Sequence, residues 1–316
     1  MILYTVVPCY NEELVLRETY HQLKEKYNHL MTENLINDQS RIVFVNDGSK
    51  DKTWSMIQKL VQDDVYIKGI NLSRNRGHQN ALLAGLMTVK EEADAVISMD
   101  ADLQDDINAM DEMIEKYKKG VDIVYGVRSS RKTDSFFKRV SAEAFYRLMH
   151  ALGVSTVFNH ADYRLMSKRA LDGLASFEEV HLFLRGIVVM IGYSSDTVFY
   201  ERKERFAGES KYPLKKMISF AVDGITSLSI KPIRMITFFG IFALFVSVGM
   251  IFYTLIAYFK GDVVSGWPSI MTSLWFLGGT QLLSIGIVGE YVGKNYIETK
   301  RRPRYIISDY IGDPHD

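Results

Sequence analysis

The first third of the chain alternates short apolar runs with longer stretches of helical periodicity. The short runs are rich in Val, Ile and Leu and predict β-strands over residues 3–7, 41–45, 67–72 and 95–99. The longer stretches between them predict helices over residues 13–31, 52–63 and 79–92. Strands that alternate with helices of this length form a mostly parallel sheet covered by helices. The pattern therefore predicts an α/β domain.

Two long apolar stretches lie in the last third of the chain. Residues 236–259 carry no charge, and residues 268–292 carry only Glu290. Each stretch is about 24 residues long, enough at a rise of about 1.5 Å per residue to cross a hydrocarbon core of roughly 30 Å. A pair of buried core helices is the alternative, but such helices seldom stay apolar on every face. We therefore predict a domain of residues 1–230, a two-helix transmembrane region of residues 231–295 and a basic tail of residues 296–316.

Basic residues flank both predicted spans. Lys231 and Arg234 precede the first span, whereas the only charged residues in the loop between the spans are Lys260 and Asp262. The second span is followed by Lys294, Lys300, Arg301, Arg302 and Arg304. The positive-inside tendency predicts a multi-pass protein of the cell (cytoplasmic) membrane, with the first domain and both termini in the cytoplasm. The N-terminal residues lack the basic lead and apolar length of a signal peptide, which agrees with that orientation.

Two further segments have the pattern of helices that lie in a membrane interface. Residues 136–152 and 212–230 mix Phe, Leu, Ile and Met with Lys and Arg at near-helical spacing. Ordinary amphipathic helices packed on the sheet are the alternative. We therefore expect these two segments to be juxtamembrane helices that dock the first domain on the membrane.

Composition narrows the class of protein. The net charge is zero and the pI is near 7.1, so the chain as a whole lacks the excess positive charge that is typical of nucleic-acid-binding proteins. Cys9 is the single cysteine, so an internal disulfide is excluded and a reducing compartment fits. Neither the phosphate loop of nucleoside triphosphatases nor the glycine fingerprint of dinucleotide-binding proteins is present, so neither chemistry is indicated.

Polar clusters follow each of the four predicted strands. They are residues 8–13, 46–49, 73–75 and 100–105. One such cluster alone could be a turn followed by a helix N-cap. In open α/β sheets, however, ligands bind beyond the carboxyl ends of strands, and all four clusters share that place. The sequence therefore predicts one common pocket.

The fourth cluster has the residues of a metal site. Asp100 and Asp102 flank one residue, so both carboxylates can face the same side of an extended strand end, and Gln104 continues that period of two. Hard oxygen ligands suit Mg²⁺ or Mn²⁺, which complete their shell with diphosphate oxygens and water. A solvated acidic turn is the alternative, but the apolar strand before the cluster is the context that a site requires. We predict that these three residues hold Mg²⁺ or Mn²⁺ and that the ion screens a leaving diphosphate.

The ordered motifs carry a resemblance to a known family. VVPCYNEE at 6–13, VNDGSKDKT at 45–53 and MDADLQD at 99–105 resemble the inverting family 2 glycosyltransferases of GT-A fold. ADYRLM at 161–166, the basic stretch ending GESKY at 208–212 and the two spans narrow the resemblance to polyprenyl-phosphate glycosyltransferases, near dolichyl-phosphate mannose synthase and bactoprenol glucosyltransferases. The resemblance covers the chain up to about Arg304.

The resemblance implies a fold and an activity. The fold would be a GT-A, Rossmann-like catalytic domain followed by interfacial helices and two transmembrane helices. The activity would be inverting transfer of a sugar, glucose favoured, from a UDP-sugar to undecaprenyl phosphate at the cytoplasmic membrane face. The lipid-linked sugar would serve cell-envelope glycosylation, with a separate flippase and a downstream glycosyltransferase as partners.

The resemblance also implies roles for single residues. The nucleotide-binding positions are Pro8, Tyr10, Glu12, Asp47, Arg74 and Asp100. Asp162 is the implied catalytic carboxylate, assisted by Arg128, Arg205 and Lys211. Residues 159–161 depart from the glycine-rich variants common before that carboxylate, so its setting stays open.

A polyprenyl phosphate is already anionic near neutral pH, so its deprotonation needs little help. The harder problem is to bring this anion to a donor that also carries a diphosphate. Cations at the edge of the pocket would solve it, and the candidates are Arg128, Arg131, Arg202, Arg205 and Lys211. The resemblance adds Ser210 as a further position that would contact the acceptor phosphate. A solvated loop or a patch attracted to anionic lipids is the alternative for these residues. We expect positioning and charge screening to supply most of the catalysis, with Asp162 as a base or an orienting group.

Other readings stay open at the level of sequence. UDP-N-acetylglucosamine or another nucleotide-sugar is the alternative donor. A processive polysaccharide synthase normally carries Gln-x-x-Arg-Trp, and no tryptophan here follows an arginine. A non-catalytic, nucleotide-sugar-sensing scaffold is disfavoured by the intact Asp100, Asp102 and Asp162. Homo-oligomers are compatible with Gly278-Gly279 in the second span, and His78, His160 and His181 are expected to be structural.

Overall fold

The computed structural model describes residues 1–129, 160–180, 183–201 and 266–312, with single positions between 233 and 245. Its strands are β1 (Leu3–Cys9), β2 (Arg41–Asn46), β3 (Ile67–Leu72), β4 (Ala95–Ser98), β5 (Ile123–Arg128), β6 (His160–Ser167), β7 (Ser195–Tyr200) and β8 (Ile307–Ile311). Its helices are α1 (Leu16–Thr32), α2 (Thr53–Asp63), α3 (His78–Val89), α4 (Ala109–Lys118), α5 (Lys168–Ala175), α6 (Leu184–Met190) and α7 (Trp267–Thr299).

The described strands form one eight-stranded sheet in the order β7-β5-β6-β4-β1-β2-β3-β8. Strands β4, β1, β2 and β3 run parallel at its centre, and β5 pairs in parallel with β7. The other three pairings are antiparallel. The predicted α/β fold with a mostly parallel sheet is therefore confirmed, and the predicted strands and helices of the first third lie within three residues of the observed bounds.

Strand β6 is the insertion that shapes the site. It lies antiparallel between β4 and β5, with Ser98 opposite Arg164 in the register. Because β6 runs against β4, the beginning of β6 meets the carboxyl end of β4. The Ser98 hydroxyl donates a hydrogen bond of 2.5 Å to the carbonyl oxygen of Asp162. This pairing brings Asp162 to the strand end that precedes Asp100.

The C-terminal segment adds a strand to the same sheet. After α7 the chain returns, and β8 pairs antiparallel with β3, with Gly69 opposite Ile311. The sequence predicted a separate basic tail from residue 296, but residues 307–311 are an edge strand of the eight-stranded sheet. The physical reason is the long-range antiparallel backbone pairing with β3, which places Tyr310 opposite Ile70.

The predicted membrane segments are only partly covered by the described residues. Residues 268–292 lie within α7, whereas residues 136–152 and 212–230 lie outside the described part and 236–259 is described only at single positions. Among the described helices, none combines the length and the apolar character that crossing a membrane requires. The two spans and the interfacial helices stay predictions.

Each face of the sheet has its own core. Helices α1, α2 and α4 cover one face, and α3, α5 and α6 cover the other. Helix α3 packs unusually close, because a Cβ built on Gly85 would lie 2.4 Å from Cγ1 of Val6 and 2.8 Å from Cγ2 of Val45. This close approach holds the beginning of α3 beside the carboxyl ends of the central strands.

The contact at Gly85 gives a stability prediction. Gly85→Ala should lower the free energy of unfolding by about 1–2 kcal/mol, because overpacking outweighs the better helix propensity of alanine. The exposed Gln58→Ala in α2 is the control and should stay within about 0.5 kcal/mol of the wild type. The measurement is chemical unfolding of the detergent-solubilised protein. A Gly85→Ala variant as stable as the wild type would contradict the close packing.

Candidate functional site

The loops that follow β1 and β2 are tied to each other. The backbone N–H of Asn11 donates to Oγ of Ser49 at 3.0 Å, and the N–H of Lys50 donates to Oδ1 of Asn11 at 2.9 Å. The N–H of Glu12 donates to Oγ1 of Thr53 at 2.9 Å. Asn11 adopts a positive φ of 55°, a conformation that asparagine tolerates better than most residues. The first two strand-end clusters therefore form one unit.

Three of the predicted nucleotide-binding residues lie at the end of β1 or in the loop that follows it. Pro8 is buried within β1, whereas the side chain of Tyr10 is 40% exposed just beyond the strand end. Glu12 is half-buried, and its backbone carbonyl accepts the N–H of Leu16 at the start of α1. The loop thus presents an aromatic ring and a carboxyl residue at the carboxyl edge of the sheet, where α/β folds bind ligands.

Asp47 holds the third strand-end loop in place. Its Oδ1 accepts the N–H of Arg76 at 2.7 Å, and its Oδ2 accepts the N–H of Gly77 at 2.9 Å. Burial raises the pKa of Asp47, although both hydrogen bonds act in the opposite direction. The next residue, Gly48, has φ of +62°, and a Cβ there would lie 2.5 Å from the backbone nitrogen of Asn75. The turn after β2 and the loop before α3 are therefore packed backbone against backbone.

The exposed Arg74 lies on that same loop, next to Gly48. The predicted nucleotide-binding residues thus share one edge of the sheet. The side chain of Asp47, however, is directed at the backbone of its own protein. Any contact that Asp47 makes with a nucleotide is additional to this structural role.

His78 joins the two acidic motifs. Its Nε2 lies 3.3 Å from Oδ1 of Asp100 and 3.6 Å from Oδ2 of Asp162. His78 is the first residue of α3, which the packing at Gly85 holds beside β1 and β2. The sequence favoured a structural role for this histidine, but the structure places it between two predicted site residues.

Two arginines also contact the Asp162 carboxylate. Nη2 of Arg164 donates to Oδ1 at 2.6 Å from within the same strand. Arg185, on α6, donates from Nε to Oδ1 at 3.3 Å and from Nη2 to Oδ2 at 3.1 Å. The Arg164 side chain is almost completely buried, whereas that of Arg185 is 32% exposed. Asp162 is therefore the centre of an ion cluster in which Arg185 and His78 are both partly exposed to solvent, whereas Arg164 is not.

The charges in this cluster shift one another's pKa values. Burial alone would raise the pKa of Asp162, but Arg185, His78 and Arg164 together hold it well below its usual range. Burial alone would lower the pKa of His78, yet Asp100 and Asp162 raise it to about 9. The geometry therefore favours an ionised Asp162 beside a protonated His78 at neutral pH.

Arg128 is held at the end of β5 by the acidic loop. Oδ1 of the buried Asp105 accepts a hydrogen bond of 2.5 Å from the Tyr200 hydroxyl and lies 3.4 Å from Nη2 of Arg128. Burial, and next the charge of Asp100, raise the pKa of Asp105 to about 6. Arg128 thus lies at the same edge of the sheet as the predicted metal ligands.

The acidic loop fits a divalent cation that also binds a phosphate ligand. Burial raises the pKa of Asp100, and the neighbouring carboxylates of Asp162 and Asp102 raise it further, so a cation would relieve repulsion there. Oδ1 of Asp102 accepts the backbone N–H of Gln104 at 3.2 Å, which fixes the carboxylate beside the loop. In the described part of the chain, no group of three or more His, Cys, Asp or Glu side chains could hold a metal. Two carboxylates are the number that Mg²⁺ commonly takes from a protein when phosphate oxygens complete its shell.

The described residues cover the predicted site unevenly. Tyr10, Asp47, Arg74, Asp100, Arg128 and Asp162 all lie at one edge of the sheet. Arg131, Arg202, Arg205, Ser210 and Lys211 lie outside the described residues. His78 and Arg185 were missed as site residues by sequence reasoning. The position of His78 three residues after the third polar cluster was a usable signal, whereas Arg185 had none.

Comparison with known proteins identifies the family. Residues 4–174 match the model of glycosyl transferase family 2, and residues 231–294 match the GtrB C-terminal hairpin. The chain belongs to glycosyl transferase family 2 and is a glycosyltransferase.

Curated relatives extend the likeness over almost the whole chain. The uncharacterized glycosyltransferase YkoT of Bacillus subtilis is 53% identical over 97% of this chain and 91% of its own length. The bactoprenol glucosyl transferase of Shigella phage SfV is 40% identical over 96% of this chain and 97% of its own length. Among solved structures, the mannosyltransferase PcManGT of Pyrobaculum calidifontis, in complex with GDP-Man and Mn²⁺, is similar at 16% identity with a TM-score of 0.45, covering 92% of this chain and 86% of that one.

The hydrogen bonds of Asp47 give a prediction. Asp47→Asn should lower the apparent melting temperature by about 2–6 °C, because one oxygen becomes an NH₂ group that faces a backbone N–H donor. Asp38→Asn is the matched control, since Asp38 is exposed, and it should leave the melting temperature unchanged. Thermal unfolding in detergent is the measurement. An unshifted Asp47→Asn variant would contradict the role assigned to this carboxylate.

Proposed function

We propose that the protein transfers glucose from UDP-glucose to undecaprenyl phosphate at the cytoplasmic face of the membrane, with inversion at the anomeric carbon. The observation that carries this proposal is the 40% identity to a bactoprenol glucosyl transferase, which runs through the catalytic sheet and the C-terminal hairpin. The acidic and basic groups at the carboxyl edge of the sheet support it, because the reaction brings together two phosphate-bearing substrates.

The donor would bind where the first three strand-end loops meet. Tyr10 and Glu12 would face the nucleobase and ribose, while Asp47 keeps the loop containing Arg74 in place. Asp100 and Asp102, with Gln104, would hold Mg²⁺ or Mn²⁺, which supplies charge neutralisation for the donor's diphosphate. The pKa of Asp162 is low because this carboxylate contacts several cations. The pKa values of Asp100 and Asp105 are raised because burial and neighbouring carboxylates outweigh the cations beside them.

The cation cluster around Asp162 favours an orienting role for that carboxylate. A carboxylate whose pKa lies well below its usual range is a poor proton acceptor near neutral pH. The acceptor phosphate has a second pKa of about 6 and is already an anion at neutral pH, so it needs little help from a base. Asp162 would instead fix Arg185 and His78 in the positions that the negatively charged reactants require.

The acceptor side needs cations that the phosphate of the lipid acceptor can reach. Arg185 is one, since its guanidinium is partly exposed while it contacts Asp162. Arg128 is a second, and Arg131, Arg202, Arg205, Ser210 and Lys211 remain the proposed acceptor-phosphate residues of the undescribed segments. In the reaction, an acceptor phosphate oxygen bonds to the anomeric carbon while the bond from that carbon to UDP breaks. An α-linked donor then gives a β-linked sugar phosphate lipid.

The sheet itself supports the proposed membrane topology. Residues on both sides of the 231–294 hairpin contribute strands to one sheet. A hairpin that begins and ends in one domain must enter and leave the membrane on the same side. The basic residues at both flanks favour the cytoplasmic side.

A donor panel tests the proposed function. Purified full-length protein with undecaprenyl phosphate and Mg²⁺ or Mn²⁺ should give a hexosyl-phosphate lipid by mass spectrometry with UDP-glucose, and less product with UDP-N-acetylglucosamine or GDP-mannose. Asp102→Asn should abolish turnover, whereas the exposed Asp63→Asn should retain it. Absence of a lipid product with every donor would refute the proposed function, and preferred use of another sugar would refute the choice of glucose.

Asp162→Asn distinguishes an orienting group from a base. We expect kcat to fall about 100-fold, because Arg185 and His78 lose the charge that fixes them, while donor binding is retained. Because the pKa of Asp162 lies below the assayed range, the group stays ionised from about pH 5 to 8. The rise of activity through the acceptor's pKa of about 6 should therefore persist in the variant. Loss of that rise would identify Asp162 as the base, and loss of donor binding would contradict its placement.

A further inference from the structure

The segment that follows α7 returns to the donor side of the site. The N–H of Ser73 donates to the carbonyl oxygen of Ile306 at 2.9 Å, directly beyond the end of β3. Nη2 of Arg76 donates to the carbonyl oxygen of Pro303 at 3.4 Å. Ser73 and Arg76 lie on the loop that Asp47 holds. The C-terminal segment is therefore attached to the loop that carries Arg74.

A chain of side-chain hydrogen bonds leads from β8 into the sheet. Nδ2 of Asn71 donates to Oδ2 of Asp309 at 2.8 Å, and Nδ2 of Asn46 donates to Oδ1 of Asn71 at 2.7 Å. Oδ1 of Asn46 then accepts the backbone N–H of Ser49 at 3.2 Å. Three neighbouring strands are thus connected to the turn that follows β2.

Asp309 sets the direction of this chain. An ionised carboxylate can only accept hydrogen bonds, so the amide of Asn71 must present its NH₂ group to Asp309 and its oxygen to Asn46. Asn46 must in turn present its NH₂ group to Asn71 and its oxygen to Ser49. Asn46 is 2% exposed, so solvent cannot readily replace a lost partner. The acceptor on β8 and the backbone donor at Ser49 therefore fix the orientation of the two amides from opposite ends.

The last link is the loop that carries Tyr10 and Glu12. Oγ of Ser49 accepts the N–H of Asn11, which lies between those two residues in sequence. The orientation of the turn after β2 is thus transmitted to the residues that would face the nucleobase and ribose.

We propose that Asp309 is a positioning residue of the donor site, which acts through Asn71 and Asn46 on the turn at Ser49. The C-terminal segment is then a part of the nucleotide-binding site. This inference rests on the proposed function, because it assigns the pocket to a nucleotide.

The strand β8 has a second anchor that does not involve Asp309. Oη of Tyr310 donates to Oε1 of Glu92 at 2.8 Å, and Nζ of Lys68 donates to Oη of Tyr310 at 3.0 Å and to Oε2 of Glu92 at 2.5 Å. This cluster, with the backbone pairing to β3, keeps β8 attached when the side chain of Asp309 is changed. Variants at Asp309 are therefore expected to fold.

The test measures UDP binding to full-length, detergent-solubilised protein by isothermal titration calorimetry in the presence of Mn²⁺. Asp309→Ala should raise the Kd for UDP about threefold, and Asn71→Ala about tenfold, because the latter also leaves the buried Asn46 amide without an acceptor. The double variant should equal Asn71→Ala, since both residues act along one chain of bonds. Asp309→Asn retains an acceptor oxygen and should recover most of the loss.

Ser308→Ala is the matched control, because Ser308 is an exposed neighbour on the same strand, and its Kd should equal that of the wild type. Hydrogen exchange provides a readout that needs no ligand: amides of residues 46–53 should exchange faster in Asp309→Ala than in Ser308→Ala. Wild-type protein that binds UDP, with an unchanged Kd and unchanged exchange in Asp309→Ala, would overturn this inference alone. Wild-type protein that binds no nucleotide would refute the proposed function and the inference together.

Discussion

The carboxylate of Asp162 is a buried charge, and much of the site exists to compensate it. A buried ion is tolerated only when it is paired and hydrogen-bonded, and Arg164, Arg185 and His78 provide these partners from three elements. Strand β6, helix α6 and the start of α3 must therefore occupy fixed positions relative to one another. Removing one partner would leave an incompletely compensated charge, so this cluster couples local packing to the geometry of the whole catalytic edge.

The same edge divides into regions of opposite electrostatic character. Around Asp162 the cations outweigh the anion, and its pKa is depressed. Around Asp100 and Asp105 the carboxylates outweigh the cations, and their pKa values are raised. The proposed reaction of two phosphate-bearing substrates would require both properties, because an anionic region would attract a divalent cation and a cationic region would attract a phosphate directly. His78, between Asp100 and Asp162, lies at the boundary of the two regions.

Local patterns were sufficient to predict the first third of the fold and its polar strand ends. Apolar runs and helical periodicity marked β1 to β4, and the strand-end rule predicted that Asp47 and Asp100 share an edge. The partners of Asp162 could not be predicted, because the antiparallel insertion of β6 is a long-range pairing without a local signal. The place of His78 near the third polar cluster indicated that it lies at this edge, but a single histidine at a helix start does not indicate which carboxylates the fold brings to it.

The return of the chain after α7 was the other feature without a local signal. The returning segment contacts both the residues that lead to Arg185 and the loop after β3. Near the end of α7, the Glu298 carboxylate accepts the N–H of Val180, and Nη1 of Arg304 donates to the carbonyl oxygen of Phe177. Residues 177–180 lead towards α6, which places Arg185 on Asp162. A few residues later the same segment contacts the loop after β3 and completes the sheet edge as β8. A displacement of the end of α7 would therefore act on the cation cluster around Asp162 and on the loop after β3 together.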